Sequence, residues 1–579
     1  MAPCVLHTPL RRLTREMGKT HKAYGRMLAG LVAATLGVVA CGSDSAPAPS
    51  PAPSPDGTPT PPSPSSPSPP TEPTQSPVRG TFPRDFVFGS AIAGFQVDMG
   101  CPTVTAAQCE DRASDWYQWI TTPRILDNPL LFMSKDQPST GPGFYELFDS
   151  DLTRASGPGE SQLGNDAIRL SIEWSRIFPQ PTFELNTHAS LKAIASADGI
   201  AFYHRLFASM KKRGLKPFVT VNHYSLPLWI HDGNLCNQSL DQCIAAGKAG
   251  WADPNRARIV NEIAKYAAFL GEEYGGEVDA WATLNEPFSA VVVAGYLAAT
   301  PARSNPPGLS GPWMSIRGAK TAASAMVEAH ARIYDALKAF DTKDADGDGK
   351  KADVGIVYVY STIKPTTASA DDAKAADDAE YFFHDMFMDG IVQGRLDENW
   401  DKGRGVAPVR TDLANRCDFI GVNYYFGFNA AKNQLPIPLS AISPFMTFDM
   451  LAPFDENAPQ GIHDVLMKVS KRYGKPIYVT ETGTTQDDEP RAAAWTVRTL
   501  EATRRAIREG ADVRGYFAWS LMDNYEWNHG MGMKFGLYAV DATDKSRAMR
   551  DAGVAYAQMS KARDVPAALE AQYAKYFAP

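Results

Sequence analysis

The chain is 579 residues long, 44% hydrophobic and 21% charged, which is ample for a large core and unlike a disordered or fibrous composition. With 57 Lys plus Arg against 65 Asp plus Glu, the formal charge is -8, so the long-range field opposes a polyanion and argues against nucleic acid as a partner.

In chain order, the first forty residues carry six bases (Arg11, Arg12, Arg15, Lys19, Lys22, Arg26) and one acid, Glu16. An apolar run of fourteen residues follows from Met27 to Ala40. That is short of the roughly 20 residues a helix needs to cross a bilayer. Residues 1–40 therefore read as a signal peptide, with Met17 as an alternative start that shortens its basic segment. The run ends Val38-Val39-Ala40-Cys41, which is similar to the lipobox of bacterial lipoproteins, where the cysteine is lipidated and becomes the mature N-terminus. A free cysteine at an ordinary cleavage site is the alternative. From Pro47 to Pro77 there are 14 prolines in 31 residues, a composition without the apolar residues that offset ordering entropy. Residues 41–80 are thus expected to be a lipid-anchor cysteine and a disordered Pro/Ser-rich tether, on the order of 100 Å when extended. Residues 81–579 form the folded part. The expected location is exported: a membrane-anchored lipoprotein facing the periplasm or cell exterior, or otherwise a secreted protein.

Within the folded part, eight short apolar runs read as strands: Phe86 to Ser90, Ala167 to Ile172, Pro217 to Asn222, Ala280 to Asn285, Val354 to Tyr360, Phe419 to Tyr425, Pro476 to Glu481 and Gly515 to Ser520. Helical patterns lie between them, among them Ile200 to Arg213, Asn255 to Tyr274, Ile316 to Phe340, Gly461 to Tyr473 and Arg491 to Glu509. This alternation predicts an α/β fold, a single (β/α)8 TIM barrel with loop insertions, against a doubly wound sheet as competitor. In such a barrel, catalytic groups sit at the C-terminal ends of strands. Those ends here read Asn222-His223-Tyr224, Asn285-Glu286-Pro287, Asn423-Tyr424-Tyr425, Thr480-Glu481-Thr482-Gly483 and Trp519-Ser520. In an exported chain, Cys101 with Cys109 and Cys236 with Cys243 are candidates for local disulfides. Cys417 reads as a buried small hydrophobe, and no spacing suggests zinc.

Several of these segments form an ordered set: FVFGSAIAGFQ at Phe86, RLSIEWSRIFP at Arg169, HYSLPLWIHD at His223, TLNEP at Thr283, GVNYY at Gly421, YVTETG at Tyr478 and WSLMDNYEWNHGMGMKFGLYAVD at Trp519. On them the chain resembles the family 1 glycoside hydrolases, retaining β-glycosidases of β-glucosidase or β-galactosidase type, over residues 82–560. SDWYQW at Ser114 and GPGFYELFDSDL at Gly141 are most similar to the archaeal broad-specificity branch.

Splitting an acetal needs a proton on the leaving oxygen and a carboxylate at the anomeric carbon, so two carboxyls must face one bond. Glu286 and Glu481 are the candidates, each following an apolar strand and preceding a turn signal. The resemblance implies that Glu286 is the general acid/base and Glu481 the nucleophile, with a covalent glycosyl-enzyme and net retention. It also implies that Arg169 and Tyr425 lie against Glu481 and favour its ionised form, and that the resulting anion keeps the proton on Glu286. A sugar presents hydroxyl edges and a C–H face, so its pocket needs forked hydrogen-bonders beside aromatic platforms. By resemblance Gln96, His223, Asn285, Asn423 and Glu526 are the hydroxyl side and Trp519 and Trp527 the walls, with Phe535 at the mouth. Without the resemblance, Trp519 and Trp527 read as core residues, and His223 reads equally as a capped core histidine or a site residue. Glu526 is expected to accept bonds from the 4- and 6-hydroxyls and to repel a phosphate.

Three departures from the family pattern stand out. Thr482 replaces the usual Asn after the nucleophile, Tyr224 replaces the Trp after the histidine, and Met450 to Asn457 lacks the tryptophan that stacks on the leaving group. The Asp344-Ala-Asp346-Gly-Asp348-Gly349 stretch alternates like a calcium loop but has Gly355 at its twelfth position. It therefore reads as a solvated acidic turn. The chemistry calls for no metal and no cofactor, and the expected partner is a small glycoside or oligosaccharide. The expected function is exo-hydrolysis of terminal non-reducing β-D-glucosides or β-D-galactosides, with a catalytically silent sugar-binding or sensing protein on the same fold as the alternative.

Overall fold

The computed structural model describes residues 82–434, 439–449, 454–455 and 458–577. The signal peptide, the lipobox, the Pro/Ser-rich tether and most of Met450 to Asn457 lie outside the described residues. Eight parallel strands close into a barrel: β1 (Val87–Ala91), β2 (Ala167–Ser171), β3 (Lys216–Asn222), β4 (Ala280–Asn285), β5 (Asp353–Val359), β6 (Ile420–Tyr424), β7 (Ile477–Thr482) and β8 (Val513–Trp519). Each strand begins and ends within a residue or two of its apolar run. Pairing of β1 with β8, with Ala91 beside Trp519, closes the ring and excludes the doubly wound alternative.

The barrel floor is filled by aromatic side chains from β3, β7 and β8 and from Phe419 just before β6. The Phe218 ring lies 5.3 Å from both Phe419 and Phe517, and Tyr478 packs at 5.5 Å from Phe218. Gly355 makes this plug possible, since a Cβ there would lie 2.3 Å from the Phe419 carbonyl oxygen. With one end packed, polar chemistry is confined to the other rim. Two register shifts fall there, one between Ala282 and Asn285 on β4 and one between Val479 and Glu481 on β7. Such irregularities re-aim side chains at a barrel rim, and here they precede the two candidate carboxylates.

Helices cover the outside with one apolar face each. In Ala257–Tyr274 the buried stripe includes Ile259, Val260, Ile263, Tyr266, Ala267 and Leu270, the i, i+3, i+4 spacing that faces a helix to a core. Ser196, Ser315 and Asp488 cap the helices Ala197–Lys212, Ile316–Phe340 and Glu489–Arg508 by accepting backbone N–H bonds. Both candidate disulfides, Cys101–Cys109 and Cys236–Cys243, are formed, and Cys417 is a buried free thiol. The acidic 344–349 turn folds on its own carboxylates: Asp344 accepts from Gly347 and Gly349, and Asp348 from Lys350. Asp279 joins from beside β4 by accepting from Ala345 and Asp346, while Lys216 Nζ lies 2.7 Å from Asp346.

Candidate active site

Glu481 is the penultimate residue of β7, and both of its oxygens are taken. Arg169, wholly buried on β2, makes a very short ion pair with Oε1, and Tyr425 Oη donates to Oε2 at 2.6 Å. The second guanidinium nitrogen of Arg169 donates to Asn285 Oδ1 at 2.7 Å, tying the β7 corner to the β4 corner. Burial is the largest influence on the Glu481 carboxyl and raises its pKa. Arg169 pulls it down, Glu286 pushes it up, and the Tyr425 bond again lowers it. Arg169 and Tyr425 thus favour the ionised form, as expected, and limit a rise that desolvation causes.

Glu286 follows β4 with φ of +43°, a left-handed conformation that non-glycine residues adopt at a cost of order 1 kcal/mol and that recurs at functional sites. Asn423 Nδ2, from the end of β6, donates to its Oε1 at 2.8 Å, and Tyr224 Oη, from the turn after β3, donates to its Oε2 at 2.7 Å. Burial raises the phenol pKa of both Tyr224 and Tyr425 well above normal, with neighbouring carboxylates adding to the rise. Each phenol thus keeps its proton and acts as a donor. Asn285 Nδ2 lies 3.1 Å from both His223 Nε2 and Tyr224 Oη. Burial, helped by Arg169 and Arg303, holds the His223 pKa well below the usual imidazole value, so the ring is uncharged.

The far side of the rim carries Gln96 and Glu526. Gln96 Nε2 donates to Glu526 Oε2 at 3.0 Å and to Asn524 Oδ1 at 2.8 Å, while Gln96 Oε1 is buried without a partner among the described residues. Burial pushes the Glu526 carboxyl up to about 7 against the pull of Arg303. Trp519 lies 6.2 Å from the His223 ring, near-parallel. Trp527 is 1% exposed and lies beneath His223 at 5.9 Å, between Phe95 and Trp116. Phe535 packs edge-on to Tyr425 at 6.0 Å. The fold thus gathers all twelve sequence-derived site residues at one end of the barrel.

Two features escaped sequence reasoning. Arg303, in the loop after β4, places Nη1 3.4 Å from Glu526 Oε1 and Nη2 3.7 Å from Glu286 Oε2. No strand end or motif marks it. Beneath the rim lies a buried ionic layer in which Arg176 pairs with Asp98 at 3.1 Å, Asp111 accepts from Ser175, and Glu173 accepts from Ser171 and Ser225. Arg176 also donates to the carbonyls of Gln108 and Cys109, fixing the first disulfide loop to the short helix Trp174–Ile177 that follows β2. Glu173 and Arg176 stand in a quoted motif, which was the available signal. One departure also finds its reason: Thr482 accepts from Trp495 Nε1 at 3.1 Å and so faces the helix behind β7.

The family model of glycosyl hydrolase family 1 matches residues 78–565. A β-galactosidase of Pyrococcus woesei is 32% identical over 82% of this chain and 95% of its own length. β-Glucosidase A of Thermotoga maritima is 28% identical over 83% of this chain and 98% of its own length. Among solved structures, a β-glycosidase from Thermosphaera aggregans superposes with a TM-score of 0.70 at 29% identity, covering 85% of this chain and 99% of that one.

Proposed function

The chain belongs to glycosyl hydrolase family 1 and is an O-glycoside hydrolase of the β-glycosidase kind, and on that premise we propose an exo-acting, retaining enzyme. It removes terminal non-reducing β-D-glucose or β-D-galactose units from small glycosides or oligosaccharides. The observation that carries this reading is the unequal treatment of two buried carboxyls: Glu481 is in direct contact with a cation, whereas Glu286 is held by an amide and a phenol, with Arg303 further off at 3.7 Å.

In the first step Glu481 attacks the anomeric carbon as the bond to the leaving oxygen breaks, and Glu286 gives that oxygen its proton. In the second, Glu286 takes a proton from water, whose oxygen attacks the same carbon and releases Glu481. Asn285, held by Arg169, is the partner of the 2-hydroxyl. Gln96, His223 and Glu526 take the remaining hydroxyls, and Trp519 faces the C–H side. Two inversions at one carbon require the sugar to leave as the β-anomer. NMR of a running reaction is expected to show β-sugar before mutarotation, and an α-anomer as first product would overturn the retaining mechanism and Glu481 as nucleophile.

The N-terminal residues support an exported protein held at a membrane through lipid on Cys41. Among the described residues no helix is long and apolar enough to cross a membrane. The wild type is expected to fractionate with membranes and Cys41→Ser with the soluble fraction. A wild type recovered wholly soluble and unmodified would rule this out.

A further inference from the structure

The guanidinium of Arg303 is placed by a loop-to-loop contact and only loosely by its own side-chain partners. Its loop docks on the turn after Glu526, where Asn528 Nδ2 donates to the Pro301 carbonyl at 3.2 Å and His529 Nε2 lies 3.3 Å from the Ala302 carbonyl oxygen. The Arg303 side chain itself makes one long hydrogen bond among the described residues, to Glu526 at 3.4 Å. Its second carboxylate neighbour, Glu286, is beyond hydrogen-bond range at 3.7 Å. The Tyr224 ring lies below at 5.7 Å from the guanidinium carbon. A guanidinium offers five N–H donors in a fork that fits one carboxylate in two parallel bonds. Among the described residues most of those donors make no hydrogen bond, and they stand inside the sugar site.

The position of the fork defines what it would meet. The anomeric carbon must lie at the Glu286 and Glu481 pair, so a pyranose ring extends from there towards Gln96 and Glu526. The end of a hexose ring opposite the anomeric carbon carries the 4-hydroxyl and, on its neighbour, the exocyclic C6. We propose that Arg303 makes this site a reader of β-D-hexuronosides, in which C6 is a carboxylate that the Arg303 fork binds. The proposal rests on the β-glycosidase reading above and names the substrate class of that same site. A carboxylate is close in size to the hydroxymethyl group it replaces, so the pocket need not be larger. Glu526 would oppose such a charge when ionised, but burial pushes its carboxyl up to about 7. At mildly acidic pH it carries a proton and donates to the uronate, which removes the like-charge conflict expected for an anionic sugar.

The test compares 4-nitrophenyl β-D-glucuronide, β-D-galacturonide, β-D-glucoside and β-D-glucose 6-phosphate conjugates on the full-length protein and on Arg303→Gln and Arg303→Lys. The wild type is expected to hydrolyse a uronoside, with KM rising as pH passes upward through about 7. Arg303→Gln is expected to lower kcat/KM on the uronoside by about 30-fold more than on the glucoside, mainly through KM. Arg303→Lys is expected to restore part of that difference, because the charge remains while the fork is lost. Hydrolysis of the glucoside with no uronoside hydrolysis would overturn the proposal. So would an equal loss on both substrates in Arg303→Gln, which would make Arg303 a partner of Glu526 and Glu286 alone, or a preference for the 6-phosphate over the uronoside. Failure to hydrolyse any of the four would instead overturn the β-glycosidase reading itself.

Discussion

The β4 and β7 corners of the rim are built alike and charged differently. Each carboxyl follows a register shift, each is 3% exposed, and each has both oxygens taken by a donor. Each also has one phenol, Tyr224 for Glu286 and Tyr425 for Glu481. The remaining donor is Asn423 at Glu286 and the buried guanidinium of Arg169 at Glu481. A cation in contact stabilises a standing negative charge, as a waiting nucleophile needs. An amide fixes direction with no net charge, which suits a group that gives up and regains a proton in each turnover. The difference teaches that orientation and charge are supplied separately at this rim.

The strongest way to break the comparison is to remove each carboxyl in turn. Glu481→Ala is expected to lose several orders of magnitude of turnover on every substrate, because no covalent intermediate can form. Azide in the vacated space should then give an α-glycosyl azide, and substantial unaided turnover by the variant would refute the assignment. Glu286→Ala is expected to differ in kind. With an activated aryl leaving group the first step hardly needs an acid, so a burst of aryl release followed by a slow phase is expected. On a disaccharide the same variant should be nearly inert. Matching profiles for the two variants would show that the corners are not functionally distinct.

A smaller effect sharpens the comparison at its shared element. Tyr224→Phe removes the phenol that holds Glu286 Oε2 and leaves Asn423 in place. The loss of one hydrogen bond to an ionisable group predicts about a tenfold to hundredfold fall in kcat on a poor leaving group. On an activated aryl glycoside the fall should be smaller, since there the proton matters least. An equal fall on both would make Tyr224 a structural residue only.

How much of this was legible beforehand follows the same physics. The barrel could be read because buried parallel strands are short apolar runs, and the carboxyls because they stand at the ends of those runs. Arg303 could not: it lies in a long connection after β4, where spacing carries no period and only the fold brings residue 303 to residue 526. The layer of Asp98, Asp111, Glu173 and Arg176 was hidden because a buried charge and a solvated one are the same letter. Tyr224 was visible only as a departure from a pattern, since nothing local says that its hydroxyl reaches Glu286.

An effect on stability and not on turnover concerns a third carboxyl, which has neither the contact cation of one corner nor the paired neutral donors of the other. Glu526 receives Gln96 at 3.0 Å and Arg303 only at 3.4 Å, and burial carries its pKa from 4.5 to about 7. Between those values the folded protein holds a proton that the unfolded chain has released, so Glu526 makes stability fall as pH rises through this window and contributes no further change above it. The full span corresponds to about 3 kcal/mol at most. Glu526→Gln keeps the shape and has no proton to lose. Its stability relative to wild type is therefore expected to rise steadily from pH 4.5 to about 7 and then level off. Asp98, pushed by burial to about 7 as well, tilts both proteins alike and cancels in the difference. Urea unfolding of the two proteins across this range measures it directly. Parallel stability profiles would show that Glu526 is ionised throughout, and would place the cation of Arg303 much closer to its carboxylate than 3.4 Å.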